Sequence, residues 1–438
     1  MTKSMRDRRA IYSWALYDFA NSPFTTLVVT FVYATYFSEA IARNSVEGQE
    51  LWGYGITTTA LIVALLAPLL GALADQGGYR KRFLIIATLI SAGATVGLYF
   101  IEPGQVLLAL AVFVVANVAF EFGNVFYNAY LPEIASVDDV GRISGWGWGL
   151  GYFGGLVALF LALVMFVQPD AIVGLIGQLG FDAPAGPWFG FSADNGENIR
   201  ATNLLVAVWF LIFSLPLFFF VHQKVPDRPG SLAVVQGSFG QLVATFREVR
   251  KHKETVKFLL ARLIYNDGLV TVFAFGGIYA AGTFGFSLAQ VLIFGIVINL
   301  AAGAGAIAMG YLDDLIGAKQ TIVISLFGLM IAAAIGIFAT EAQWLWVAGI
   351  LLGIFSGPNQ AASRSLMARY IPQGLENEFF GFFAFSGKLT AFIGPLLLAF
   401  VTRIAESQRA GMVVVIVLFA FGLMLLIPVR QPGRSSGS

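Results

Sequence analysis

The sequence predicts an all-α polytopic membrane protein with twelve transmembrane helices and both termini in the cytoplasm. Three observations lead to this fold class: an apolar composition, twelve helix-length apolar runs, and a one-sided distribution of Lys and Arg. Hydrophobic residues make up 58% of the 438 residues and charged residues only 12%, with a mean hydropathy of +0.79. Soluble domains carry about 25% charged residues, since water must wet their surfaces. A polytopic membrane protein fits this composition.

The apolar runs fix the number of spans. A bilayer core about 30 Å thick requires about 20 apolar residues per helix. Six such runs lie in the first half of the chain, near residues 13–39, 51–74, 83–101, 105–128, 143–168 and 201–221. Six more lie in the second half, near residues 255–281, 286–309, 320–340, 343–367, 379–402 and 410–429.

The Lys and Arg residues orient these spans. With the amino terminus inside, the cytoplasmic segments hold 19 Lys and Arg residues and the outer loops hold 4. Cytoplasmic loops of membrane proteins carry such an excess of positive charge. The bias predicts that both termini are cytoplasmic, as an even number of spans requires.

Composition and residue spacing also exclude several classes of function. A net charge of +1 excludes a nucleic-acid binder, and the absence of Cys excludes disulfides and thiolate metal sites. Both histidines, His222 and His252, fall in the central loop. No cluster of His, Asp and Glu residues has the spacing of metal ligands, and no candidate nucleophile lies beside a candidate general base. We therefore expect no enzyme, no cofactor and no metal.

The chain is a duplication. A shift of 240 residues superimposes a group of positions in the first half on equivalents in the second: Pro132, Asp138, Gly141, Gly147 and Gly154 on Pro372, Glu378, Gly381, Gly387 and Gly394. Six helices per copy make these parallel repeats. We predict an N-terminal bundle over residues 1–221, a cytoplasmic linker with an amphipathic helix over 222–254, and a C-terminal bundle over 255–438. The role of the outer loop at 169–200 stays open.

Ionisable residues inside the spans are the main functional signal. Each costs about 2.5–3.5 kcal/mol at mid-bilayer on insertion scales, so it must face protein or water. Asp18, Glu121, Arg262, Asp267 and Arg364 lie on spans 1, 4, 7 and 10, the first members of successive three-helix units, and Lys388 lies on span 11. Glu121, Asp267 and Lys388 lie deepest and are the foremost candidates for solute or proton binding.

Amide residues follow the same four spans. Span 4 carries Asn117, Glu121 and Asn124 at helical spacing, which places them on one face. The other amides in this pattern are Asn21, Asn266, Asn359 and Gln360. We predict that these groups surround one polar chamber between the bundles. The alternative is a structural polar network that clamps the helices together.

Two glycine-containing motifs carry a family resemblance. The loop Gly71-Ala-Leu-Ala-Asp75-Gln-Gly-Gly78-Tyr-Arg80 resembles the signature loop of the major facilitator superfamily, with Gln76 in place of the usual Arg. The superfamily's fold, two six-helix bundles, is what this resemblance implies. Gly71, Asp75, Gly78 and Arg80 would then belong to a loop that controls conformational change.

A narrower resemblance extends over nearly the whole chain. The segments 14–22, 130–133, 145–148, 265–268 and 357–365 are similar to the vacuolar amino-acid effluxer (autophagy-related) family and its bacterial relatives. This resemblance implies a secondary transporter, with amino-acid export attributed to the fungal members.

These inferences combine into one hypothesis. We expect a secondary active transporter that moves a small polar metabolite, with an amino acid as the first candidate, by alternating access. Protonation of Glu121 is the expected coupling step. We expect the protein to function as a monomer, surrounded by lipid, in a bacterial inner membrane. A lipid flippase and a nutrient sensor on a carrier fold are the alternatives.

Overall fold

The computed structural model describes residues 8–168, 174, 177, 186–223 and 249–431. Within these ranges the chain forms only helices and their connections. The N-terminal half contains six long helices: α1 (Arg8–Ile41), α2 (Ser45–Gly77), α3 (Arg80–Tyr99), α4 (Val106–Asn128), α5 (Val140–Val167) and α6 (Glu197–Phe220). The C-terminal half contains six more: α7 (Lys253–Phe284), α8 (Leu288–Ile316), α9 (Ala318–Phe338), α10 (Ala342–Tyr370), α11 (Glu376–Ala405) and α12 (Gln408–Leu426).

These helices confirm the predicted all-α membrane fold. In the described part of the chain, eleven helices are long and apolar enough to cross a membrane. The remaining long helix, α10, is 29 residues long, but polar residues occupy its second half. Its Asn359, Ser363, Arg364 and Ser365 are buried against other helices. Burial among protein explains how a polar helix can lie within this fold, because lipid does not reach these groups.

The helices have an inner and an outer end. Helix α1 begins, and α12 ends, at the end that the Lys and Arg bias predicts to be cytoplasmic; we call it the inner end, and the opposite end the outer end. The predicted linker at 222–254 lies mostly outside the described residues, and α7 already begins at Lys253. Of the predicted outer loop at 169–200, residues 186–196 are described, and α6 begins at Glu197.

Three of the described helices depart from regular α geometry. Helix α1 is π-helical over Phe24–Phe31, directly after Pro23, which lacks a backbone N–H for the regular ladder. Helix α5 ends in a π-helical turn at Leu163–Val167. Helix α11 consists of two segments, Glu376–Lys388 and Ile393–Ala405, with a break between them. Such irregular turns are frequent at functional sites.

Glycines bring α5 close to helices of both halves. A Cβ on Gly154 would lie 2.5 Å from the Phe19 carbonyl oxygen of α1, and one on Gly145 would lie 2.4 Å from the Ala306 carbonyl oxygen of α8. No side chain fits at such distances. The Gly-rich sequence of α5 therefore lets this helix pack tightly within its own half and across the join between halves.

Candidate functional site

A polar cavity of about 320 Å³ lies at the join between the two halves. Helices α1, α4 and α5 supply one side, and α7, α10 and α11 supply the other. Ten of the twelve predicted site residues line it: Asp18, Asn21, Glu121, Asn124, Arg262, Asn266, Asn359, Gln360, Arg364 and Lys388. Asn128 and Ser363, from the same helix faces, add to its polar wall.

One ion pair crosses the cavity between α4 and α11. The Lys388 Nζ donates to Glu121 Oε1 at 2.7 Å. Both side chains are partly exposed to the cavity, with relative exposures of 33% for Lys388 and 17% for Glu121. Lys388 is the last residue before the break in α11. This pair joins the two halves, and a solute entering the cavity can reach both partners.

A second ion pair joins α1 and α10. The Arg364 Nη1 donates to Asp18 Oδ2 at 2.9 Å, and Arg364 Nε and Nη2 donate to the hydroxyl and carbonyl oxygens of Ser144 on α5 at 2.9 and 2.7 Å. The guanidinium lies over the Trp14 ring, 4.7 Å from its centroid. Gly147 leaves the room for this arrangement, since a Cβ there would lie 2.6 Å from Asp18 and 2.7 Å from Arg364. This pair is more buried and more fully bonded than the first.

Arg262 is the third cation of the cavity, and its hydrogen-bond and ring partners are uncharged groups. Its Nη1 donates to the Phe383 carbonyl oxygen at 2.8 Å and to Ser386 Oγ at 2.9 Å. Its guanidinium lies over the Phe383 ring, 3.6 Å from the centroid. Phe383 and Ser386 belong to α11, so these contacts fix the side chain within the C-terminal half.

The amide residues make specific bonds around these charges. Asn21 Nδ2 donates to Asn124 Oδ1 at 3.0 Å, which links α1 to α4. Asn266 Nδ2 donates to the Gly387 carbonyl oxygen at 3.1 Å, next to the break in α11. Gln360 Nε2 donates to the Tyr152 hydroxyl at 3.2 Å, across the join. Asn359, fully buried, donates to Ser325 Oγ of α9.

The other two predicted residues lie outside this cavity. Asn117 is buried on α4, one turn further from the cavity than Glu121. Asp267 was expected to lie in the chamber, but its carboxylate accepts a hydrogen bond from Thr390 Oγ1 at 3.1 Å, at the break of α11. The expectation for Asp267 came from its depth in the span, and depth does not define which side of α7 a residue faces.

The predicted conformational loop ties the inner ends of α2 and α11 together. Asp75 Oδ1 accepts the backbone N–H of Asn377 at 3.1 Å, and Asp75 Oδ2 accepts that of Glu378 at 2.8 Å. The carboxylate thereby caps the first turn of α11, where helix N–H groups lack internal partners. Gly71 allows this approach, because a Cβ there would lie 2.3 Å from the Asn377 carbonyl oxygen. Gly78 ends α2 with φ of +63°.

Arg80 extends this contact to a third element. Its guanidinium, 3% exposed as a residue, donates to Glu133 at 2.7 Å and to Glu376 at 3.1 Å. Asp75 lies 3.7 Å from the same guanidinium. Glu376 belongs to the C-terminal half, so this ion-pair cluster also joins the halves at the inner end.

An equivalent contact joins α8 and α5, and the sequence interpretation missed it. Asp314 Oδ1 accepts the backbone N–H of Gly141 at 2.8 Å, and Oδ2 accepts that of Arg142 at 3.2 Å. The neighbouring Asp313 pairs with Arg369 at 2.6 Å. The alignment of Gly310–Asp314 with Gly71–Asp75 was the available signal for it. We call these two contacts, Asp75 on α11 and Asp314 on α5, the inner clamps.

Among the described residues, the outer end is open. Cavities of about 590 and 710 Å³ lie on the outer side of the polar cavity. Thr25 lines all three cavities, and Asn299 lines both outer ones. The inner clamps close the opposite end. The structure therefore represents a conformation that is closed inside and open outside.

Comparison with known proteins agrees with this architecture. The fold is that of the major facilitator superfamily. The transporter FucP in the outward conformation superimposes with a TM-score of 0.73 at 14% identity, covering 97% of this chain and 98% of that one. The human organic anion transporter MFSD10 gives a TM-score of 0.72 at 15% identity, covering 96% and 99%. The twelve-helix fold and these likenesses define an integral membrane protein with the fold of this superfamily.

Sequence comparison specifies the family. The family model described as "Vacuole effluxer Atg22 like" matches residues 40–435, and the chain belongs to this family. The MFS-type transporter YxiO of Bacillus subtilis is 28% identical over 94% of this chain and 93% of its own length. Autophagy-related protein 22 of Yarrowia lipolytica is 23% identical over 86% of this chain and 75% of its own length. Both suspected resemblances, to the superfamily and to the narrower family, are thus confirmed.

Proposed function

We propose that this protein is a secondary active transporter that moves a small polar metabolite by alternating access around the polar cavity. An amino acid is the first candidate for the solute. The observation that carries the proposal is that two ion pairs, Glu121–Lys388 and Asp18–Arg364, join the halves on the cavity wall. Each acid comes from the N-terminal half and each cation from the C-terminal half. Rocking of one half against the other must stretch or re-form both pairs.

The charge arrangement supports a solute that bears both an ammonium and a carboxylate group. Glu121 and Asp18 offer oxygen acceptors on the N-terminal side, and Lys388 offers N–H donors on the C-terminal side. A zwitterion that spans the cavity satisfies both sides at once. Such a solute replaces contacts between the halves by contacts to itself, which gives it the differential affinity that a conformational change requires.

We further propose that Glu121 couples transport to protons. Protonation of Glu121 removes the charge that holds Lys388 and thereby releases α4 from α11. Water or solute in the cavity can reach the Glu121 carboxylate, since this side chain is 17% exposed. We also propose that the protein acts as a monomer in a bacterial cytoplasmic membrane, the cavity being formed within one chain.

Uptake into proteoliposomes tests the proposal. A thermal-shift screen of amino acids and small metabolites first identifies stabilising solutes, since a ligand stabilises the state it binds. We expect an imposed pH gradient to accelerate uptake of the best solute by the natural protein. The variant Glu121→Gln should exchange solute without responding to the gradient. The variant Glu50→Gln changes an exposed acid away from the cavity and serves as the control. A gradient response in Glu121→Gln equal to that of the natural protein contradicts the coupling role.

A lipid flippase is the second candidate, favoured by one apolar wall. The outer cavity of about 590 Å³ is lined on one side by Leu156, Leu159, Leu163, Val167 and Ile199. An acyl chain fits such a surface. Translocation of fluorescent phospholipid between leaflets of the same proteoliposomes tests it, and a rate equal to protein-free vesicles excludes it.

A further inference from the structure

The polar cavity is lined by more cationic side chains than acidic ones. Asp18 and Glu121 line it as acids, whereas Arg262, Arg364 and Lys388 line it as cations. Both acids are used, one by Arg364 and one by Lys388. With both acids ionised, the cavity carries one positive charge more than it carries negative ones. That excess is located at Arg262.

Arg262 has no acid of its own: Glu121 attracts it electrostatically but forms its ion pair with Lys388. Within the described ranges Arg262 forms no ion pair, and its partners on α11 are a carbonyl oxygen, a hydroxyl and an aromatic ring. The acid closest to it along α7 is Asp267, whose carboxylate is bound to Thr390 outside the cavity lining. A guanidinium carries five N–H donors in a planar fork. Both of these hydrogen bonds to α11 use one terminal nitrogen, Nη1, and the side chain lines the cavity.

We propose that the transported solute is a small organic anion of net charge −1, and that Arg262 binds its carboxylate. This inference rests on the proposed transport function and specifies its substrate class. An amino acid with a second carboxyl group has this charge, and so does a monocarboxylate without an amine. Guanidinium and carboxylate match in geometry, because two parallel N–H···O bonds form between them.

The ion pairs explain why such a solute is favoured over a neutral zwitterion. A neutral amino acid also has a carboxylate for Arg262, but its ammonium group leaves the net charge of the occupied cavity at one positive charge. Placing the carboxylate on Lys388 instead would separate Lys388 from Glu121, and separating a hydrogen-bonded ion pair in a partly buried site is costly. A carboxylate that binds Arg262 neutralises this cation and leaves both ion pairs intact in the outward-open conformation; the solute replaces them only when the halves rock. An additional ammonium group can still approach Glu121 from the cavity.

The test compares solutes of similar size and different charge. L-glutamate, L-glutamine, L-lysine and the monocarboxylate pentanoate are measured for binding to the purified full-length protein and for uptake in proteoliposomes. We expect at least one of the anions to bind about 10-fold or more tightly than glutamine, which corresponds to one charge-assisted hydrogen bond. Arg262→Gln should weaken anion binding about 10- to 100-fold and weaken glutamine binding less, so that the preference for the anion is lost. Arg262→Lys, which keeps the charge, should retain part of the preference.

A matched control separates site effects from global charge. Arg403→Gln removes the same charge from an exposed position at the outer end of α11 and should behave as the natural protein. If glutamine or lysine binds as tightly as the anions, or if Arg262→Gln and Arg262→Lys weaken all solutes equally, the inference is overturned. Uptake of neutral amino acids without charge preference refutes only the anion proposal. Absence of uptake of every solute, charged or neutral, refutes the proposed transport function itself.

Discussion

Asp75 and Asp314 occupy equivalent places in the two halves, and each caps a helix of the opposite half. Asp75, near the end of α2, accepts the N–H groups of Asn377 and Glu378 at the start of α11. Asp314, near the end of α8, accepts those of Gly141 and Arg142 at the start of α5. The duplication of the sequence thus reappears as a duplicated contact between the halves. Both clamps lie at the inner end, so the closed inner side depends on two carboxylates.

The variant Asp75→Asn should shift the protein away from the outward-open conformation. The amide keeps one acceptor but loses the negative charge near Arg80 and one of the two caps. Loss of a helix cap costs about 0.5–2 kcal/mol, which changes a two-state ratio about 2- to 30-fold. Because the chain contains no Cys, a single Asn299→Cys reporter in the outer cavities can be labelled without background. We expect slower labelling from outside in Asp75→Asn, and Asp138→Asn is the control at an exposed loop position. Unchanged labelling contradicts the clamp role.

Gly71→Ala should destabilise the closed inner end. The added Cβ would lie 2.3 Å from the Asn377 carbonyl oxygen, so α2 and α11 must separate. Overpacking of this kind costs about 1–3 kcal/mol. Gly93→Ala in α3 adds the same methyl group where no atom lies within 4 Å, and it should be neutral or slightly stabilising. Thermal unfolding in detergent compares the two. A melting temperature for Gly71→Ala at or above that of Gly93→Ala would show that the close approach is unimportant.

Glu121→Gln and Lys388→Gln should be coupled rather than additive. Each single change leaves one charge of the pair without its partner, whereas the double change removes both charges. We expect the double variant to be less destabilised than the sum of the singles, with a coupling of about 0.5–3 kcal/mol as found for residues in contact. Chemical denaturation of all four proteins gives the cycle. Additive effects would mean that the 2.7 Å contact contributes nothing to the outward-open state.

Arg364→Lys should be nearly as harmful as Arg364→Gln. Arg364 binds Asp18 and Ser144 through three different nitrogens and lies over Trp14. A Lys side chain retains the charge but not the planar fork, so it cannot make these bonds together. Stability of the two variants is compared by fluorescence-monitored unfolding. Full stability of Arg364→Lys would show that charge alone is required at this position.

The sequence was informative wherever lipid imposes a simple rule. Apolar length, the Lys and Arg bias and the cost of intramembrane charge predicted the spans, and ten site residues such as Glu121 and Lys388 do line one cavity. A charged group in a membrane helix must face protein or water, so few orientations were open to it. The duplication gave the parallel arrangement of the halves, and the division into two bundles stays a prediction.

The sequence could not predict which charged residues pair, or which side of its helix a residue such as Asp267 faces. Sequence position cannot tell which acid meets which cation across 267 residues, as for Glu121 and Lys388. Asp267 faces Thr390 because α11 breaks beside it, and no sequence signal marked that break. The clamp by Asp314 was missed because the second copy of the loop, residues 310–319, lacks the basic run of Arg80–Arg82, although Gly310, Leu312, Asp314 and Gly317 repeat the first copy. In each case the deciding factor is the packing of helices distant in sequence.

Alternating access around the polar cavity can be measured as two distances in one protein in nanodiscs. Spin labels on Cys pairs at Glu102 and Glu341 report the outer end, and labels at Asp138 and Gln373 report the inner end; these are exposed positions on opposite halves. When Asp75→Asn and Asp314→Asn are combined, the inner distance should lengthen and the outer distance should shorten together. If the inner end opens while the outer distance stays the same or also lengthens, the two halves do not rock around the cavity.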